Sequence, residues 1–255
     1  MRRVRGAAIT ILPKVGHGFE VESRWTPQLR AAFARITWGS LKPVAPSGPA
    51  VRDLPLIELP SGKRSPQLAV VISGDGGWAS LDRQIGETFA AQGMPVVGLN
   101  SLQYFWKART PDQAAADLTR ILRHYLQAWN ASEVVLVGYS RGADVLPFMV
   151  TRLPDDLRPR IRIVALLGVS LAAGFEFHFT DLLGATRRAD RPTVPEISRL
   201  RGLRVLCVYG ADETDSACRG LPAGLATVVA MPGGHHFEGA YREIAGRILQ
   251  AARFR

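Results

Sequence analysis

The feature that most limits what this chain can become is a series of short, continuously apolar runs. They are "PLIEL" (55–59), "LAVVIS" (68–73), "PVVGL" (95–99), "EVVLVG" (133–138), "IRIVALLG" (161–168), "LRVLCVYG" (203–210) and "ATVVAM" (226–231). A strand with one wet face alternates apolar and polar residues. Continuous apolarity fits strands buried on both faces of a parallel sheet. Between the runs lie helical patterns. "LDRQIGETFAAQ" (81–92) carries apolar residues at helical spacing, and "TPDQAAADLTRILRHYLQAW" (110–129) opens with Thr at a cap and Pro in the first turn. The order predicts a doubly wound α/β domain with a mostly parallel sheet.

Within that frame "VVLVGYSRGADVLPFMV" sets Gly138-Tyr139-Ser140-Arg141-Gly142 between a buried strand and a helix. A serine on a sharp strand-to-helix turn needs small residues two positions before and after it. The turn exposes the Ser140 hydroxyl and aims a helix N-terminus at it, which favours developing negative charge. Ser140 is therefore the candidate nucleophile. Its backbone neighbour Arg141 would supply one N–H to an oxyanion. The other would come from the loop after the first buried strand, "SGDGGW" (73–78), at Asp75 or Gly76. Trp78 in that loop is either a substrate wall or helix packing.

A serine hydroxyl needs a base. In this arrangement the acid and then the histidine follow the serine in the chain. The loop after "ATVVAM" offers His235 and His236. A second segment near the start, "LPKVGHGF" (12–19), resembles "MPGGHHF" (231–237), and placing Pro13 on Pro232 aligns His17 with His236. This favours His236 as base over His235. The acid belongs in "ADETDSAC" (211–218), where Glu213 and Asp215 both stand at workable spacing. The acid would orient the imidazole and stabilise its charged form.

Composition removes other classes. With 255 residues and 47% hydrophobic content the chain suits one domain with an appendage and is too apolar for disorder. No run approaches the ~18 apolar residues that span a bilayer. "GAAITIL" after "MRRVR" mimics a signal peptide, but it is too short and "PKVGH" is no small-residue cleavage site. The net charge of +10 is carried by scattered arginines. It fits a solvated surface or attraction to an anionic membrane. Without a basic run or an aromatic-interleaved stripe, no nucleic-acid partner is expected. No cofactor is implied, and the two cysteines have no metal-ligand company, so no metal is expected.

"GDGGW", "PVVGLNSLQYFWKARTPDQAAADL", "GYSRGADVLPF", "ALLG", "CVYGADETDSAC" and "PGGHHF" together resemble the bacterial virulence protein VirJ/AcvB family over about residues 55–250. The resemblance implies an α/β-hydrolase fold with a nucleophile elbow and a periplasmic location. It also implies hydrolysis of aminoacyl-phosphatidylglycerol, lysyl above all, at the membrane surface. Ser140 and His236 inherit nucleophile and base, and the acid stays open between Glu213 and Asp215. The other class of role is a non-catalytic periplasmic interaction protein that keeps the fold and meets secretion-system partners.

Longer members of the family resemble two such domains in tandem. Residues 1–42 then look like the end of a preceding domain in a chain whose start is missing. The rival reading is a docking segment on a shorter protein. Residues 43–54, rich in proline and small residues, read as a linker, and 55–255 as the catalytic domain. In an exported protein Cys207 and Cys218 could pair across the acid loop. The alternative is a buried Cys207 and an unpaired Cys218. "FEFHFTDLLG" (175–184) falls where a lid or substrate wall is commonly inserted, and would equally suit an edge packed on the core.

Overall fold

Residues 48–176 and 191–253 are described by a computed structural model. The elements, in chain order, are β1 (Leu56–Leu59), β2 (Gln67–Ile72), α1 (Ser80–Ala91), β3 (Val96–Leu99), a short α2 (Ser101–Tyr104), α3 (Pro111–Ala128), β4 (Glu133–Tyr139), α4 (Arg141–Val150) and β5 (Ile161–Leu167). After a two-residue ribbon, β6 (Ala172–Ala173) with β7 (Arg191–Pro192), come α5 (Thr193–Ser198), β8 (Val205–Gly210), β9 (Thr227–Met231) and α6 (Tyr241–Arg253). The main sheet has the order β1-β3-β2-β4-β5-β8-β9. Every neighbouring pair is parallel except β1 with β3.

The continuous apolarity of the strands follows from this layering. Alternate residues enter opposite cores. Val70, Ile72, Leu136, Val164 and Leu166 meet Leu118 and Ile121 of α3 and Leu146 and Met149 of α4. Val71, Val135, Val137, Ile163 and Ala165 meet Ile85 and Phe89 of α1 and Ile244 and Ile248 of α6. Helix α3 begins at the residue its cap predicts. Thr110 Oγ1 accepts the Gln113 N–H at 3.1 Å, and the Gln113 side chain accepts the Thr110 N–H at 3.0 Å.

Two elements depart from the sequence reading. "ATVVAM" becomes β9, the outermost strand, and Thr227, Val228 and Ala230 are exposed. A run of apolar residues cannot distinguish a central strand from an edge. The stretch read as a linker is in part core: Val51 and Leu54 are buried. Arg120 of α3 holds this stretch by donating to the Ala50 carbonyl at 2.7 Å and pairing with Asp53. The described residues all belong to one compact unit. Residues 1–42, including His17, and the greater part of "FEFHFTDLLG" lie outside the described residues. Among those described, no helix is long and apolar enough to cross a membrane.

From β2 the chain steps outward to β3, then returns to β4 and continues to the other side of the sheet. The loops after β2 and β4 therefore part from each other at the C-terminal ends of adjacent strands. Open α/β sheets form their crevice at this switch point.

Candidate active site

Ser140 joins β4 directly to α4 with φ 52° and ψ −121°. Such a conformation in a non-glycine residue costs on the order of 1–3 kcal/mol and persists because its surroundings impose it. The Ser140 N–H still donates to the Leu167 carbonyl of β5 at 2.9 Å, and Asp144 closes the first turn of α4 by donating its N–H to the Ser140 carbonyl at 3.0 Å. The glycines at either side are required by space. A Cβ on Gly138 would run into the Gly142 carbonyl, and one on Gly142 into the Ile72 carbonyl of β2. Ser140 is half-buried and makes no side-chain cap to the helix it begins.

The loop 73–78 lies against this elbow. A Cβ on Gly74 would stand 3.3 Å from Ser140 Cβ. The loop is fixed at its base, where the Gly74 carbonyl accepts Ser101 Oγ–H at 2.6 Å and the Gly77 N–H at 3.0 Å. Asp75 pairs with the Arg141 guanidinium. Trp78 is not a wall of the crevice. Its indole is buried against Gly86 of α1 and Gly98 of β3, both of which must lack a side chain to admit it. A tryptophan after a glycine turn carries no mark of which way its ring will go.

At the end of β8 the backbone turns so that Glu213 faces back over the strand. Glu213 Oε2 accepts the Gly210 N–H at 2.6 Å, and Oε1 lies 2.6 Å from His235 Nδ1. Asp215 is exposed and has no such partner among the described residues. The acid loop is held further by Arg219, which donates to the Glu213 carbonyl at 3.0 Å and the Ala211 carbonyl at 2.7 Å. Cys207 and Cys218 are joined in a disulfide that closes the loop, with Cα atoms 5.6 Å apart.

The carboxylate thus reaches His235 and not His236. The His235 ring is stacked on Tyr139, with centroids 5.4 Å apart. It also covers Gly168 at the end of β5, where a Cβ would come within 2.7 Å of its Cε1. Because β5 lies between β4 and β8, the ring stands over the strand that separates Ser140 from Glu213. His236 is exposed and turns to the Tyr139 hydroxyl, 2.8 Å from its Nδ1. Burial holds that hydroxyl above the ordinary phenol range, so Tyr139 stays neutral there. The alignment of His17 with His236 marks the ring beside the one that meets Glu213, because loop spacing from Pro232 does not report which ring turns to the carboxylate. Tyr139 and Gly168, both in contact with His235, were not singled out from the sequence. A glycine ending "ALLG" was the available signal for the second.

Two buried carboxyls lie under the site. Burial raises Asp144 to about 8, although its carboxyl accepts the Ser170 N–H at 2.7 Å. Burial likewise raises Asp82 to about 7, and its Oδ1 has no partner among the described residues. No group of three or more His, Cys, Asp or Glu among the described residues is arranged to hold a metal.

Solved structures with this architecture are α/β-hydrolases, and that is the fold of this chain. A putative dienelactone hydrolase from Klebsiella pneumoniae is similar at TM-score 0.55 and 16% identity, over 79% of this chain and 93% of that one. MenH from S. aureus is similar at TM-score 0.58 and 13% identity, over 78% and 99%. Est1E from Butyrivibrio proteoclasticus gives TM-score 0.53 and 13% identity, over 77% and 93%. Residues 66–255 match the bacterial virulence protein (VirJ) family, and the chain belongs to it. No curated protein sequence matches the chain significantly.

Proposed function

We propose that the protein is a serine ester hydrolase acting through Ser140, His235 and Glu213. The observation that carries the reading is the Glu213 carboxylate, held by the Gly210 N–H and hydrogen-bonded to His235 Nδ1. With Nδ1 turned to Glu213, Nε2 is the ring nitrogen left to take a proton from Ser140. Ser140 Oγ attacks the ester carbonyl as His235 Nε2 accepts its proton. The oxyanion is held by the N–H of Arg141 and that of Asp75 or Gly76. Collapse expels the alcohol, which takes the proton from His235. A water activated by the same nitrogen then attacks the acyl-enzyme and releases the acid, restoring Ser140.

The substrate we propose is aminoacyl-phosphatidylglycerol, the lysyl form above all. Ser140 would take the aminoacyl group and phosphatidylglycerol would leave. Membership of the family and the resemblance described above support this choice. So does the +10 charge, which favours approach to an anionic lipid surface. A periplasmic place of action is part of the same proposal. The test is release of lysine from lysyl-phosphatidylglycerol vesicles by the purified protein, and its loss in Ser140→Ala. An inactive wild-type protein that a fluorophosphonate also fails to label would leave the interaction role, with secretion-system partners, as the better account.

A further inference from the structure

We infer that the side chains of Arg141 and Asp75 form a tether that aims the oxyanion donors, so that both are positioning groups for the reaction proposed above. The inference rests on that reading and extends it to the side chains. Arg141 begins α4, and its backbone N–H is one expected donor. Its guanidinium returns across the elbow to Asp75 through Nε, and to the carbonyls of Gly174 at 3.0 Å and Glu176 at 3.3 Å through Nη1. The Arg141 side chain is 8% exposed and that of Asp75 33%. One residue therefore joins three segments around the nucleophile: the elbow, the loop after β2 and the segment after β6.

The loop needs such a tie. Gly74, Gly76 and Gly77 give it more backbone freedom than any other residue type would. The bonds from Ser101 and Gly77 fix the Gly74 carbonyl, at the loop's base. The peptide between Asp75 and Gly76, which carries a candidate donor, lies beyond that anchor. The Asp75 side chain is the link from this tip to the elbow. The pair has an electrostatic consequence too. An unpaired carboxylate beside a forming oxyanion would oppose it, and Arg141 cancels that charge.

These two effects predict an asymmetry. Asp75→Asn loosens the tip but removes the negative charge. Arg141→Gln loosens the tip and leaves the charge uncompensated. Ser140 labelling by a fluorophosphonate reads both, because the phosphonyl oxygen must occupy the oxyanion site. The maximal labelling rate should fall about tenfold in Asp75→Asn and about 100-fold in Arg141→Gln, against the full loss of a donor at about 100- to 1000-fold. The concentration giving half-maximal rate should stay within about threefold, since the donors act on the transition state. Asp75→Asn added to Arg141→Gln should recover part of the rate, which a general loss of packing would not allow.

If Asp75→Asn labels at the wild-type rate, the tether is refuted. The same holds if the double variant is slower than Arg141→Gln. Should Arg141→Gln fail to fold, Asp75→Asn at a partly exposed position still decides. A wild-type protein that is not labelled at Ser140 overturns the serine reading itself. Normal labelling in the variants with none in Ser140→Ala overturns the tether alone.

Discussion

Gly168→Ala separates the two histidines without substituting either. Gly168 ends β5 at φ +61°, and a Cβ there would stand 2.7 Å from His235 Cε1 and 2.9 Å from Nδ1. Carbon atoms in contact sit at about 3.5 Å or more. The ring must therefore shift by about 0.8 Å, which displaces Nδ1 from the geometry of its 2.6 Å bond to Glu213. A misplacement near 1 Å can cost about 100-fold in rate. The stability cost is separate: alanine in the left-handed region costs about 1–2 kcal/mol. That corresponds to roughly 2–8 °C in Tm for a domain of this size. The assay is kcat for ester hydrolysis by the folded variant, beside a thermal melt. The expected result is about 100-fold slower turnover with a cooperative melt only a few degrees lower. A folded Gly168→Ala with wild-type kcat would show that the His235 ring is not part of the chemistry, and would return His236 as the base.

Glu213→Gln should lower kcat by about 10,000-fold, as neutralising a triad carboxylate does, whereas Asp215→Asn should change it by less than threefold. Steady-state kinetics on both variants check this. Asp144 gives a pH dependence of stability. Its folded value of about 8 lies above the ordinary carboxyl value, so the folded state binds the extra proton between about pH 4 and 8 and stability falls as pH rises through that window. The slope approaches about 1.4 kcal/mol per pH unit for one buried group. Urea melts from pH 5 to 8 should show a shallower decline in Asp144→Asn. Replacing Cys207 and Cys218 together by alanine should remove about 2–3 kcal/mol, by loop entropy, from a protein in which the bond has formed. Tm with and without reductant reads the loss.

The sheet was readable because its signals are local. Its seven strands, and the helices α1, α3 and α4, each announce themselves in a short stretch, as α3 does through Thr110, Pro111 and Gln113. The elbow was readable because its small residues stand two positions before and after Ser140 in the sequence, although the space each must leave is set by Gly142 for Gly138 and by Ile72 of β2 for Gly142. The partners proposed for Ser140 were harder to read. Glu213 and Asp215 differ only in how the chain folds after Gly210, and Glu213 is favoured because it closes its own turn onto the Gly210 N–H. His235 and His236 are adjacent, and the choice between them depends on Gly168 and Tyr139, which lie far away in sequence. Trp78 went to the core because Gly86 and Gly98 leave a slot for it. The position of β9 at the sheet edge depends on the whole topology, which no single run of apolar residues encodes.

The most direct measurement is the site and rate of fluorophosphonate labelling, read by mass spectrometry, in wild type, His235→Ala and His236→Ala. The account predicts a single adduct on Ser140, lost in His235→Ala and formed at close to the wild-type rate in His236→Ala. An adduct elsewhere, or labelling that survives in His235→Ala and disappears in His236→Ala, would contradict it.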